Sequence, residues 1–128
     1  MKYIIIVLAL LLPFAGCSDV GVPQGVDSVQ GTWQLIETYG SDGGAGNWVS
    51  IENGYTYSFG EDNILLSNRF SCNGTYFETA DSLTIDFNCT DVQFQLVYGV
   101  SFEDNRLVLT PDPANCDEGC AEKFKRVQ

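Results

Sequence analysis

The stretch FSCNGTYFETADSLTIDFNCT, residues 70–90, predicts a β-hairpin with a built-in covalent link. If the turn lies at 80–81 and pairing runs outward from it, Cys72 falls directly opposite Cys89. A two-residue turn makes this a non-hydrogen-bonded pair, in which the side chains approach closely enough for a disulfide. The same register gives the hairpin one apolar face, made of Cys72, Tyr76, Leu83, Ile85, Phe87 and Cys89.

A second hairpin is predicted from the strongest period-two alternation in the chain. Apolar residues at every second position from Phe94 to Phe102 alternate with mostly polar or small ones. Asp104-Asn105 is a suitable two-residue turn, which would pair Phe102 with Leu107. The two hairpins therefore have matching apolar faces and belong to one sheet.

The remaining segments of 31–128 also suggest short strands, separated by clusters of turn residues, and none predicts a convincing helix. About eight strands at roughly 12-residue spacing are typical of an all-β fold. Because consecutive hairpins favour a meander that closes on itself, we expect an antiparallel up-and-down β-barrel of about eight strands. The glycine-rich segment 40–47 is expected to form a loop at the barrel mouth.

The N-terminal segment predicts export. Residues 1–16 combine a lysine at position 2 with a short apolar run and small residues before Cys17, which is typical of a signal peptide. Phe14-Ala15-Gly16-Cys17 resembles the lipobox of bacterial lipoproteins. That resemblance implies lipidation of Cys17, with residues 17–30 as lipidated N-terminus and flexible tether. It also implies attachment to the cell envelope, at the outer membrane, with the membrane face left open.

The cysteine count agrees with an exported protein. Setting Cys17 aside leaves an even set of four, which allows three pairings. The hairpin register favours Cys72 with Cys89, which leaves Cys116 with Cys120 as a second disulfide. A metal site at the last pair is the alternative, but the chain contains no histidine. We therefore expect two disulfides, no metal and no cofactor.

The first strand carries a family resemblance. Gly31-x-Trp33, followed only by short strands, resembles the start of the lipocalin-like (calycin) family, particularly its small bacterial lipoprotein members. The resemblance implies that Trp33 plugs the closed end of the barrel and packs against a basic residue near the end of the last strand. Arg126 matches that position, with Lys125 or Lys123 as alternatives. Gly31, Trp33 and Arg126 are thus the predicted barrel-closing residues.

The barrel interior is the predicted binding site. Eight strands enclose a space that side chains fill or that holds one small ligand. Aromatic side chains can line such a space for a small apolar molecule, or simply pack the core. The candidate ligand contacts are Trp48, Tyr55, Tyr57, Tyr76, Phe94 and Tyr98.

Charge limits the partners. The formal net charge is −11, and removal of the signal peptide takes away only Lys2, which makes it −12. Such a surface disfavours nucleic acid and would attract a basic protein. The alternative function is therefore a protein-binding module, such as an inhibitor of a protease or of lysozyme. With no histidine and only scattered carboxylates, the sequence does not predict an enzyme.

Overall fold

The computed structural model describes residues 28–40, 45–112 and 120–127 of the chain. Beyond a three-residue 3-10 turn at Glu61–Asn63, the regular elements of these residues are strands. In chain order they are β1 Gly31–Gly40, β2 Asn47–Ser50, β3 Thr56–Phe59, β4 Ile64–Ser67, β5 Gly74–Glu78, β6 Ser82–Asn88, β7 Gln93–Glu103, β8 Arg106–Pro111 and β9 Ala121–Val127.

The strands close into a barrel. From β3 onward each strand pairs antiparallel with the next in the chain, and β9 pairs with β1. Strands β2 and β3 both pair with β1, β2 with its second half and β3 with its first half, so together they occupy one position in the barrel. The result is an eight-stranded closed up-and-down barrel, which confirms the predicted fold class.

The break between β2 and β3 has a local cause in β1. The register of β1 against β9 shifts between Leu35 and Glu37, which marks a bulge. The segment opposite is held by two backbone bonds, from the Leu35 amide to the Tyr55 carbonyl (3.0 Å) and from the Ile51 amide to the Ile36 carbonyl (2.8 Å). A bulge shifts the alternation of side chains. The residues of β1 that face the interior are therefore odd-numbered before the bulge and even-numbered after it.

The covalent hairpin forms with the predicted register. Strands β5 and β6 pair Tyr76 with Ile85 and Glu78 with Leu83. Beyond the ladder, Cys72 and Cys89 form a disulfide with their Cα atoms 5.5 Å apart. The second predicted disulfide includes Cys116, which lies outside the described residues, so that pairing stays a prediction. The signal peptide, Cys17 and most of the tether also lie outside them, as does part of the glycine-rich loop.

The second hairpin is confirmed in the same way. Strands β7 and β8 pair Phe102 with Leu107 and Val100 with Leu109. Asp104 and Asn105, between them, have φ angles of 50° and 64°. Two successive left-handed residues form the tight turn whose twist matches that of the flanking strands, and aspartate and asparagine tolerate this conformation well.

Side chains fill most of the barrel interior. Among the described residues, the fully buried set contains five large rings from five different strands, in addition to aliphatic residues, and these side chains leave no wide cavity along the barrel axis. These rings contact one another: Tyr57 stacks on Phe87 and on Phe124 at centroid distances of 6.2 and 5.6 Å. The largest fully buried side chains are Trp33, Tyr57, Tyr98, Phe87 and Phe124. Space for a ligand is consequently confined to the barrel ends.

Candidate functional site

One end of the barrel is closed by a tryptophan. Trp33 is fully buried, and its indole N–H donates to the Val29 carbonyl at 2.7 Å. Arg126, its register partner on β9, places its guanidinium carbon 4.3 Å from the indole ring centroid and donates to the Gln30 carbonyl at 3.0 Å. Gly31 adopts φ +119°, and a Cβ there would lie 2.4 Å from Arg126 Nη1. This end is sealed by cation–π packing, and the positive φ of Gly31 is a backbone conformation that favours glycine.

The other end of the barrel contains an inward-facing arginine. In β4 every second side chain points into the barrel, as the fully buried Leu65 shows. Arg69 lies two residues beyond Ser67 and therefore points inward as well. Its Nη1 donates to the Tyr57 hydroxyl at 2.7 Å and to the Tyr55 hydroxyl at 3.3 Å. These two tyrosines thus hold a permanent positive charge inside the barrel mouth.

Aromatic rings surround that charge. The guanidinium carbon of Arg69 lies 4.7 Å from the centroid of Tyr55, 4.9 Å from that of Phe70 and 4.6 Å from that of Phe94. Phe70 also contacts Phe94, with centroids 5.3 Å apart. A guanidinium loses less by partial desolvation than an ammonium and stacks on ring faces, so these rings fix its position at modest cost.

A carboxylate on β9 joins the same network. Glu122 stands two residues before the fully buried Phe124 on β9 and therefore shares its inward parity. The Tyr55 hydroxyl donates to Glu122 Oε2. Tyr55 thereby links the two charges, accepting from Arg69 and donating to Glu122. Between the described residues, the ion pair within contact distance joins Glu37 to Lys123 and does not involve Arg69 or Glu122.

The tyrosine hydroxyls at this end remain protonated well above neutral pH. Burial is the largest cause of the raised pKa of Tyr55, and the neighbouring Tyr57 and Glu122 raise this pKa further. Burial raises the pKa of Tyr57 as well, partly offset by Arg69. The pKa of Tyr98 is raised by burial and then by Glu122. All three side chains are therefore neutral groups that both donate and accept hydrogen bonds.

A cavity of about 210 Å³ opens beside this network. Both charged side chains line it, together with apolar and hydroxyl groups from β1, β7, β8 and β9. The lining residues are Thr38, Tyr39, Arg69, Phe94, Leu96, Tyr98, Pro111, Cys120, Ala121 and Glu122. Its volume lies below the range of about 300–1,000 Å³ typical of drug-sized ligand pockets, so a molecule that enters it must be small.

The six predicted ligand contacts lie in four different places. Phe94 and Tyr98 line the cavity, while Tyr55 and Tyr57 lie behind it and hold Arg69. Tyr76 is buried against Phe59, with centroids 5.0 Å apart, and donates to a backbone carbonyl.

Trp48, the sixth, packs outside the cavity. Its ring lies 5.4 Å from that of Tyr39 and 4.0 Å from Lys123 Nζ, and it is 37% exposed. Lys123 in turn pairs with Glu37. The position of Trp48 follows from the bulge in β1, because its partner Tyr39 lies beyond the shift in alternation.

The sequence analysis did not identify the two charged residues of the cavity. Neither Arg69 nor Glu122 is among the predicted site residues. A signal did exist: each stands two positions from an inward-facing residue, Ser67 for Arg69 and Phe124 for Glu122. A charge at an inward position of a small barrel is unusual, because burying it costs free energy unless it is paired or hydrogen-bonded.

The described residues contain neither a cluster of metal ligands nor a membrane-spanning helix. They contain no group of three or more acidic, cysteine or histidine side chains placed to hold a metal ion. Their helical structure includes no segment long and apolar enough to span a membrane. No protein-family model matches the sequence, and no match was found to a curated protein or to a solved structure.

Proposed function

We propose that this protein is a lipid-anchored binding module of the bacterial cell envelope, of lipocalin-like type, that holds a small molecule at the open end of its barrel. The observation that carries the proposal is the position of Arg69, which is half-buried among rings and tyrosine hydroxyls while also lining a cavity. The anchor rests on the lipobox-like residues before Cys17. In this proposal the domain binds its ligand without transforming it.

If this network had only a structural role, it would stabilise the barrel less well than apolar side chains in the same space. Charges taken out of water lose hydration, and well-packed apolar residues of similar volume often give equal or greater stability. Leucine or phenylalanine in place of Arg69 and Glu122 would extend a core whose buried residues are otherwise hydrophobic. Charged groups kept in a small cavity, with ordered partners, are typical of binding sites.

The second candidate is a protein-binding module, and the outer face of the barrel favours it. Ile64 and Leu66 on β4 are 46% and 48% exposed, and Phe77 on β5 is 63% exposed. Together with the negative charge of the chain, these residues would suit a basic partner with an apolar patch. Salt-sensitive association with a basic lysozyme, weakened by Phe77→Ser, would support this candidate.

Native mass spectrometry tests the first candidate. The complete mature protein, isolated in detergent from the envelope of its own cells, is expected to carry a discrete added mass that is lost on unfolding. Leu96→Trp should fill the cavity and abolish the added mass. Val97→Trp is the matched control, because Val97 is the next residue of β7, is 38% exposed and does not line the cavity.

Two results would contradict the proposal. One is a bare mass for the wild-type protein after incubation with an extract of small molecules from the same cells. The other is an added mass that survives Leu96→Trp in a protein with a wild-type circular dichroism spectrum. The second result would place the bound molecule somewhere other than the cavity at the barrel mouth.

A further inference from the structure

The charges lining the cavity compensate each other. Among the described residues that line it, Arg69 carries one positive charge, Glu122 carries one negative charge, and the other eight are uncharged. The two groups are bridged by the Tyr55 hydroxyl and are not in direct contact. A ligand with a net charge would leave one of these charges uncompensated in a partly desolvated space, which costs binding free energy. The cavity therefore favours a ligand with no net charge.

Both charged groups retain hydrogen-bonding capacity. In the bonds between described residues, Arg69 uses Nη1 and Glu122 uses Oε2. A guanidinium has five N–H donors and no acceptor, whereas a carboxylate has two acceptor oxygens and no donor. A ligand that spans the cavity must therefore offer an acceptor toward Arg69 and a donor toward Glu122.

The volume of the cavity limits the size of the ligand. An apolar protein cavity of about 150 Å³ is known to take up benzene. A cavity of about 210 Å³ thus has room for one six-membered ring and a substituent of two or three atoms. Phe94, Leu96 and Pro111 supply apolar contacts for such a ring.

From these three properties we infer that the ligand is a single-ring, uncharged molecule carrying a hydrogen-bond donor and an acceptor side by side, as in a carboxamide or a lactam. The inference rests on the proposed binding function and specifies its ligand class. Arg69 and Glu122 are then the residues that determine specificity. They select against the carboxylate and ammonium analogues of the same shape.

Three probes of nearly equal size test the inference: benzamide, benzoate and benzylammonium. Dissociation constants are measured by ligand-observed NMR on the complete mature protein. We expect benzamide to bind at least tenfold more tightly than either ion. Glu122→Gln gives the cavity a net positive charge and should increase the affinity for benzoate relative to that for benzamide by at least tenfold. Arg69→Gln gives the cavity a net negative charge and should increase the affinity for benzylammonium relative to that for benzamide by a similar factor.

The controls remove the same charges elsewhere on the barrel. Asp86→Asn and Arg106→Gln change residues that do not line the cavity, and they should leave the order of the three probes unchanged. Each variant is checked for folding by circular dichroism. Either cavity variant alone is sufficient if the other fails to fold, since each predicts a different ion as the improved ligand.

The outcomes separate the inference from the proposed function. A wild-type preference for an ion, or an unchanged probe order in the folded cavity variants, overturns the inference. If the native protein nevertheless carries a cellular ligand that Leu96→Trp removes, the binding function stands. If no probe binds to the wild-type protein and no cellular ligand is found, both fall together.

Discussion

Alkaline pH should destabilise this domain because burial disfavours ionisation of the tyrosines of the barrel mouth while it is folded. Tyr57 and Tyr98 are each 1% exposed, and burial is the largest cause of the raised pKa of both and of Tyr55. An unfolded tyrosine has a pKa of about 10. Above that pH the unfolded chain binds fewer protons than the native one, so the free energy of unfolding falls as pH rises. The stabilisation by these neutral tyrosines is fully present below pH 10 and is lost as the pH rises toward their raised native pKa.

The size of the effect follows from the number of tyrosines involved. At pH 11 a tyrosine whose native pKa stays well above that pH favours the unfolded chain by about 1.4 kcal/mol, so Tyr55 and Tyr98 together contribute about 3 kcal/mol. The raised pKa of Tyr57 adds to this in the same direction. A small domain has a free energy of unfolding of about 5–15 kcal/mol, so the loss is a large share of the total. We therefore expect the urea midpoint to fall steeply between pH 9.5 and pH 11.

Urea titrations followed by circular dichroism measure this directly, with absorbance at 295 nm recording phenolate formation. Tyr98→Phe should reduce the pH-dependent loss of stability by about 1.4 kcal/mol at pH 11. This difference isolates the tyrosine from lysine deprotonation, which is common to both proteins. A free energy of unfolding that does not change between pH 9.5 and pH 11, or an equal slope in Tyr98→Phe, would refute the reasoning.

Two further predictions concern stability. Replacing Cys72 and Cys89 together by alanine should lower the free energy of unfolding by about 3 kcal/mol, the chain-entropy value for a 17-residue separation. Urea titration measures this loss, and a loss under about 1 kcal/mol would contradict the reasoning. Gly54→Ala would place a Cβ 2.1 Å from the Leu35 carbonyl oxygen and should cost about 2 kcal/mol or more. Gly99→Ala is its control: the nearest atom is 3.7 Å away, so its thermal midpoint should stay close to wild type, and equal losses in both variants would contradict the steric explanation.

The local pairing of this protein could be predicted from its sequence because local constraints determine it. In each hairpin a short turn and strict alternation leave one register that buries a whole apolar face, and a shift by one residue would expose that face. Cys72 and Cys89 meet as a direct consequence of that register. The inward direction of Phe124 follows from the same alternation within a single strand.

The site at the barrel mouth was decided by the tertiary structure. Arg69 and Glu122 come from segments far apart in the chain, and only closure of β9 against β1 brings them to the same cavity. The β1 bulge reverses the alternation beyond Leu35, which sets Trp48 outside the cavity. Sequence alternation shows which residues share a face within one strand. The bulge and the closing register depend on contacts between distant strands, which no local pattern records.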